Sequence, residues 1–211
     1  SNGFFERTRE TNIPVVWIDH HEVDNNIPNF INYFNPCLNN PKTSEPVTVL
    51  CYQITKRKED LWIAVIGAIS DGFLPDYYGE FSDRYSDLAI KTEDPFKILY
   101  KSKIGEISKI LNNGLKDTTT NVVNMLRFMI RVKSPYEVLE ESSKTHSLHK
   151  RSNQIYKKYK NIFERAKAVG ENSGKVLFFK YSGDLSTSGE ISNELLFNFP
   201  EKIIVVAYVN G

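Results

Sequence analysis

Short β-rich runs alternate with segments of helical periodicity, and this alternation constrains the fold more than any other feature of the chain. Residues 13–18 combine β-branched side chains with Trp17, a composition typical of a buried strand in an α/β sheet. Two further strands are predicted over residues 175–181 and 202–209, with a helix over residues 189–197 between them. A β-α-β order of this kind predicts an α/β fold with parallel strands.

Composition and charge exclude several classes of protein. The chain has 211 residues, of which 40% are hydrophobic, so it can build a core. Its formal net charge of +1 creates no overall field that attracts nucleic acid, so such a partner must be recognised by local clusters. The longest apolar runs, such as residues 61–69, are too short to span a bilayer. No signal peptide opens the chain, and Cys37 and Cys51 lack metal-type spacing, so we expect a soluble cytoplasmic protein without a membrane partner.

Several helices are predicted between the strands at the two ends. They cover residues 3–11, 46–56, 59–69 (apolar nearly all round and therefore buried) and 120–132, while residues 30–34 are a short strand. Ser134-Pro135-Tyr136-Glu137 is a capping box with proline at the first helical position, and predicts one long helix to about Val169 that Gly170 and Gly174 end. The acidic stretch 71–94 contains glycine and proline and is predicted to be irregular.

The segment Asp19-His20-His21 follows the first predicted strand directly. Open α/β sheets place their sites at the carboxyl ends of strands. Imidazole binds manganese, zinc or iron, and a neighbouring carboxylate orients a histidine ligand. The segment therefore predicts a metal site, and the alternative is a pair of surface histidines at a strand end.

Asp71 follows the apolar segment Ile66-Gly67-Ala68-Ile69-Ser70. On its own, this residue is typical of an ordinary helix end that faces water. Together with the two histidines, however, Asp71 becomes a candidate metal ligand, because a binuclear metal site needs carboxylates from several separate segments.

Three segments of the chain resemble, in order and spacing, the motifs of the DHH phosphoesterases. They are Asp19-His20-His21, Tyr33-Phe34-Asn35-Pro36 and residues 67–71. That family includes RecJ-like exonucleases, oligoribonucleases and family II pyrophosphatases. The resemblance implies an incomplete parallel-sheet DHH domain over residues 1–115. Residues 116–170 would form a helical linker region that contains the long helix. Residues 174–211 would begin a smaller α/β domain, the DHH-associated C-terminal domain, which this linker joins to the DHH domain.

The resemblance also implies roles for four residues. His20 and Asp71 would be ligands of one manganese ion, with magnesium as the alternative metal. His21 would contact the substrate phosphate, and Asp19 would steady the two histidines by hydrogen bonding. In the mechanism of the family, two metals activate a water for in-line attack on phosphorus and stabilise the departing oxygen.

The sequence departs from the family in two places. No aspartate precedes Asp19, so the His-x-Asp-x-Asp array on the first strand is missing, as is the aspartate that bridges the two ions. The glycine-rich histidine motif of the C-terminal domain is missing too. We expect the chain to be a fragment of a longer protein, and a protein that has lost half of its site is the alternative. Two ligands hold manganese weakly, so an inactive chain is compatible with membership of the family.

Basic and aromatic side chains alternate between residues 144 and 167. The candidate nucleic-acid contacts are Lys150, Arg151, Lys157, Lys158 and Lys160. Cations that bind phosphates and rings that stack on bases predict a single-stranded nucleic acid or a short oligonucleotide as the partner. The alternative is a solvated helix whose aromatic residues pack inward. His146 and His149 could pair on a metal, but surface histidines are the simpler interpretation.

Three functions remain open at this point. The first is phosphodiester hydrolysis by a RecJ-like single-strand exonuclease or oligonucleotide phosphodiesterase that uses two manganese ions, which the long basic segment favours. The second is a small-molecule phosphohydrolase that acts on pyrophosphate or a cyclic dinucleotide. The third is a non-catalytic binding or scaffold protein with a DHH fold.

Overall fold

The structure is a computed structural model that describes residues 2–23 and 27–209. The helices in these residues are α1 (Asn2–Thr11), α2 (Val47–Thr55), α3 (Leu61–Ser70), α4 (Tyr78–Arg84), α5 (Pro95–Lys101), α6 (Lys103–Gly114), α7 (Thr119–Met129), α8 (Pro135–Leu139), α9 (His146–Asn172) and α10 (Ser188–Asn198). The strands are β1 (Val15–Ile18), β2 (Ile31–Phe34), β3 (Val176–Ser182) and β4 (Ile203–Val209). The chain divides into two compact units, unit 1 (Ser1–Arg84) and unit 2 (Tyr85–Gly211).

In unit 1, β1 and β2 form a parallel pair in register from Val15 opposite Ile31 to Ile18 opposite Phe34. The main-chain N–H of Asp19 donates to the carbonyl of Phe34 at 2.9 Å and continues the ladder by one residue. Because the strands are parallel, their carboxyl ends meet at one edge of the sheet. The loops that follow β1 and β2 are therefore neighbours.

The core of unit 1 is centred on α3. Seven of its ten residues are buried: Leu61, Trp62, Ala64, Val65, Ile66, Ala68 and Ile69. The sequence prediction of a helix that is apolar nearly all round is confirmed. Helix α2 packs closely on it at Gly67, where an added Cβ atom would lie 2.2 Å from Oγ1 of Thr48. Gly67 therefore permits a close approach of two helices.

In unit 2, β3 and β4 form a second parallel pair, and α10 connects them. One face of β3, two residues of α9 and two of α10 share a single core. Its buried members are Phe163, Ala166, Leu177, Phe179, Tyr181, Ile191 and Leu195. The predicted β-α-β unit and its mixed α/β character are confirmed.

The prediction of one helix from the capping box to Val169 is wrong. The capping box at Ser134 is present, but α8 ends at Leu139 and α9 begins only at His146. Thr145 is fully buried, and its hydroxyl donates to the carbonyl of Glu140 at 2.7 Å and accepts from the N–H of Ser142 at 2.9 Å. Hydrogen bonds from Ser and Thr side chains compete with helical ones, which explains the break.

Glycine does not end the long helix where the sequence predicted. Helix α9 continues through Gly170 to Asn172. A Cβ atom on Gly170 would lie 2.6 Å from atoms of both Leu177 and Phe199, so this glycine serves close packing within the helix.

The prediction that residues 71–94 are irregular is wrong in part, because α4 lies within them. Residues 95–114, for which no element was predicted, form α5 and α6. Helix α5 begins with Asp94 as its cap, whose carboxylate accepts from the N–H groups of Phe96 and Lys97 at 2.9 and 3.2 Å. The other predicted helices and strands are present within a few residues of their predicted bounds.

The compact units divide the chain at residues 84 and 85, whereas the predicted DHH domain ends at residue 115. The predicted linker region, residues 116–170, lies within unit 2, where α9 packs against α6 and β3. The predicted domain limits follow from the resemblance to the DHH family, whereas the compact units follow from packing, so the predicted limits stay predictions. None of the described helices has both the length and the apolar composition that crossing a bilayer requires.

Candidate metal centre

The loop after β1 is organised by the side chain of Asp19. Its Oδ1 atom accepts from the main-chain N–H groups of His20 and His21 at 2.8 and 3.2 Å, and lies 2.7 Å from Nδ1 of His21. The hydrogen bond from the His21 side chain is the largest cause that lowers the pKa of Asp19 below the ordinary value for aspartate. An ionised carboxylate only accepts hydrogen bonds, so Nδ1 of His21 carries a proton. The His21 side chain is 78% exposed, and its Nε2 makes no hydrogen bond to residues 2–23 or 27–209.

Asn35, in the loop after β2, ties the two loops together. Its Nδ2 donates to the carbonyl of His21 at 2.9 Å and to the hydroxyl of Tyr33 at 2.7 Å. Its Oδ1 accepts from the N–H of Cys37 at 2.9 Å, and the side chain is buried. The Sγ atom of Cys37 lies 3.7 Å from the carbonyl oxygen of His20. These contacts give the Tyr33-Phe34-Asn35-Pro36 motif a structural role in positioning the histidines.

Asp71 stands at the carboxyl end of α3. The helix ends in a Schellman motif, in which Phe73 N–H donates to Ala68 at 2.9 Å and Gly72 N–H donates to Ile69 at 3.2 Å. Gly72 has a φ of 68°, a left-handed conformation that glycine adopts without strain. This termination fixes the main chain of Asp71, the residue just before the glycine.

The structure brings His20 and Asp71 together, although fifty residues separate them in the sequence. Nε2 of His20 lies 4.0 Å from Oδ2 of Asp71, and the two side chains are 21% and 45% exposed. This separation is too long for a hydrogen bond. Two adjacent ligands that each lie about 2.1 Å from one ion are about 3.0 to 3.4 Å apart in octahedral or tetrahedral geometry, so the observed separation is longer than that of adjacent ligands. The two side chains are therefore neighbours, and their binding of one cation stays a prediction.

The His20 and His21 rings are close, with centroids 4.5 Å apart and planes at 65°. Asp19 binds the His21 ring, whereas its hydrogen bond to His20 involves only the main chain. Asp19 thus orients the side chain of His21 alone, whereas the resemblance implies that it steadies both histidines.

Within residues 2–23 and 27–209, no three or more His, Cys, Asp or Glu side chains form a group that could hold a metal. The shared manganese ion predicted for His20 and Asp71 therefore stays a prediction, since these two side chains are close but do not belong to such a group. The second ion that the family resemblance implies has no ligand set in the described part of the chain. The structure thus shows that the two predicted ligand side chains are close together, and it shows no complete binuclear centre in these residues.

Two of the five basic residues predicted to contact nucleic acid already have partners within the chain. Arg151 donates through Nε to the carbonyl of Lys116 at 3.2 Å, and Lys158 forms an ion pair with Asp184. The other three are exposed and share a strip of α9 because they are spaced by seven and three residues: Lys150, Lys157 and Lys160. That three-residue strip remains a prediction for nucleic-acid contact.

His146 and His149 do not form a metal pair. Nδ1 of His146 lies 2.8 Å from Oε1 of Glu141, and Nε2 of His149 lies 2.8 Å from the carbonyl oxygen of Val138. Each histidine therefore has its own hydrogen-bonding partner, and the simpler interpretation from the sequence is the one that fits.

The DHH assignment stays a prediction that rests on sequence motifs and on the geometry of residues 19–21 and 71. The sequence did not indicate the hydrogen bonds of Asn35, since an Asn-Pro pair signals only a turn. Comparison with protein-family models, with curated proteins and with solved structures gives no significant match.

Proposed function

We propose that this chain is a manganese-dependent phosphodiesterase module in which His20 and Asp71 hold one divalent cation at the edge of the β1–β2 sheet. The observation that carries the proposal is the separation of 4.0 Å between Nε2 of His20 and Oδ2 of Asp71. A mixed nitrogen and oxygen pair suits manganese, whereas magnesium prefers oxygen alone, so manganese is the better candidate.

The bound cation would supply a polarised water and positive charge for the phosphoryl oxygens. His21 is the residue of the chain best placed to contact the substrate, because its ring is 78% exposed. Asp19 keeps Nδ1 protonated, so Nε2 donates to a phosphate oxygen when the ring is protonated and accepts a proton when the ring is neutral. Asp19 and Asn35 hold the loop in place and thereby orient His21.

Single-stranded oligonucleotide is the proposed substrate. The exposed strip of Lys150, Lys157 and Lys160 on α9 supports it, since ammonium groups bind phosphates without regard to sequence. The two free thiols, Cys37 and Cys51, support a reducing compartment such as the cytoplasm.

The test is cleavage of an end-labelled single-stranded hexamer with manganese chloride or with EDTA, analysed on a denaturing gel. We expect shortened products only with manganese, and none from His20→Ala. His146→Ala is the matched control, because this exposed histidine pairs with Glu141 in unit 2, and it should cleave normally. Absence of manganese-dependent product from the hexamer refutes the proposed substrate, and product from pyrophosphate or a cyclic dinucleotide instead assigns a small-molecule phosphohydrolase. Retained turnover in His20→Ala refutes the role of the imidazole.

A second candidate function is binding of a phosphorylated ligand without turnover. The number of ligands favours it, since the described residues offer two where a binuclear hydrolase needs more. Manganese-dependent binding of the hexamer without any shortened product, in the same reactions, would select this function.

A further inference from the structure

Unit 2 contains a polar groove that the proposed phosphodiesterase site does not use. It lies between the α5–α6 junction and α9, and has a volume of about 750 Å³. Pockets for small molecules commonly measure about 300–1,000 Å³. The side chains that matter for its chemistry are Tyr100, Lys101, Lys103, Lys109, Asn153 and Tyr156.

Three lysines give the groove its charge. In the described part of the chain, no carboxylate lies within 4.0 Å of the ammonium groups of Lys101, Lys103 or Lys109. The groove also contains Glu106 and Glu141, but Glu141 interacts with the His146 ring at 2.8 Å. The groove thus has more cations than anions, and its lysines lack an ionic partner.

The local fold places two of these lysines next to each other. Ser102 caps α6 by accepting from the N–H of Gly105 at 3.1 Å, and it separates Lys101, the last residue of α5, from Lys103, the first residue of α6. A Cβ atom on Gly105 would lie 2.1 Å from the carbonyl oxygen of Leu99, so glycine permits the sharp junction. Lys103 is in the first turn of α6, whose helix dipole is positive at this end and adds to the attraction for an anion, and the Lys101 ammonium lies 5.9 Å from the centre of the Phe197 ring.

Aromatic rings provide the second half of the chemistry. Tyr156 lines the groove from α9 with 46% of its surface exposed, so its ring is accessible from the groove. The Lys109 ammonium lies 5.0 Å from the centre of the Tyr100 ring, a cation–π distance that holds this lysine against the wall. Burial raises the pKa of Tyr100, so its hydroxyl stays neutral and does not repel an anion.

We propose that this groove binds a nucleotide, with its phosphates on Lys101, Lys103 and Lys109 and its base on the ring of Tyr156. Base stacking on an aromatic ring beside cations that bind phosphate is the general chemistry of single-strand recognition. The same chemistry suits a free nucleotide and a nucleotide within an oligonucleotide. Binding here requires no divalent cation, so the proposal stands apart from the His20–Asp71 site.

The test measures binding in EDTA, with ATP and pyrophosphate followed by calorimetry and a fluorescein-labelled oligothymidylate hexamer followed by anisotropy. Lys103→Glu should weaken every probe about tenfold, which corresponds to one lost charge-assisted contact. An acidic residue at the first helical position suits the helix dipole, so this variant should fold. Lys97→Glu is the matched control, since Lys97 is exposed on α5 outside the groove, and its affinity should match the wild type.

Tyr156→Ala separates base from phosphate recognition. It should weaken ATP about tenfold through lost stacking and leave pyrophosphate unchanged. Tighter binding of ATP than of the hexamer identifies a free nucleotide, and the reverse identifies a single strand. Failure of all probes to bind, or equal losses in Lys97→Glu and Lys103→Glu, overturns the proposal. Since EDTA removes divalent cations, such a failure leaves the manganese site untouched, and failed cleavage leaves the groove untouched.

Discussion

Replacement of Asn35 by alanine tests whether one buried amide holds the histidine loop in place. The amide makes three hydrogen bonds, to the carbonyl of His21 at 2.9 Å, to the hydroxyl of Tyr33 at 2.7 Å and from the N–H of Cys37 at 2.9 Å. Each intramolecular hydrogen bond contributes about 1 kcal/mol net, so we expect Asn35→Ala to reduce the free energy of unfolding of unit 1 by about 3 kcal/mol.

Tryptophan fluorescence during urea unfolding measures this loss specifically. The chain contains 2 tryptophans, and both Trp17 and Trp62 lie in unit 1. For a urea dependence of about 1 to 3 kcal/mol per molar, a loss of about 3 kcal/mol lowers the midpoint by about 1 to 3 M. Residues 85–209 contain no tryptophan, so the unfolding of unit 2 does not contribute directly to this signal.

The matched control is Asn39→Ala, a few residues further along the same loop. Asn39 is exposed, and its amide reaches Oγ1 of Thr43 only at 3.4 Å, so we expect a loss of less than about 0.5 kcal/mol. A loss below about 1 kcal/mol for Asn35→Ala, or one equal to the control, would refute the role of Asn35 as the tie between the two loops.

Three further substitutions test unit 1. Gly67→Ala would place its Cβ 2.2 Å from Oγ1 of Thr48, so urea unfolding should show that the free energy of unfolding falls by about 1–3 kcal/mol. Gly79→Ala is the control, because its Cβ would have no atom within 4 Å, and it should stabilise helix α4. Equal effects of the two substitutions would contradict the packing argument. Asp19→Asn tests pH dependence. The side-chain hydrogen bond from His21 lowers the pKa of folded Asp19, so the carboxylate stabilises the fold above the ordinary pKa of about 3.9. This stabilisation is lost as the pH falls towards the pKa of the folded state. Acid titrations followed by fluorescence should therefore show the wild type losing its advantage over Asp19→Asn below about pH 4, and a constant difference would contradict the hydrogen bond.

Elements with a strong local signal could be predicted from the sequence. Val15–Ile18, within the predicted residues 13–18, form a strand because β-branched side chains suit the pleated surface, and α3 is buried because its apolar residues leave no polar face. The capping box at Ser134 also forms as predicted. The break before α9 could not be predicted, because it depends on the burial of Thr145, which is a tertiary property.

The candidate site was predictable only through the resemblance. Nothing in the local sequence of Asp71 distinguishes it from an ordinary helix end, and its approach to His20 depends on the packing of α3 within unit 1. The hydrogen bond of Asn35 to His21 was missed because it joins two separate loops, and the groove was missed because it forms only where α5 and α6 pack beside α9. Local patterns indicate elements, whereas sites arise from how those elements pack.

Manganese binding measured by electron paramagnetic resonance tests the central claim most directly. Free aqueous manganese gives a strong signal that weakens on binding, so titration of the protein yields a dissociation constant. We predict measurable binding by the wild type and by His21→Ala, and binding at least about tenfold weaker in His20→Ala and Asp71→Asn, because each removes one of two protein ligands. Wild-type affinity in both of these variants, or no manganese binding by the wild type, would contradict the assignment of His20 and Asp71 as a shared metal site.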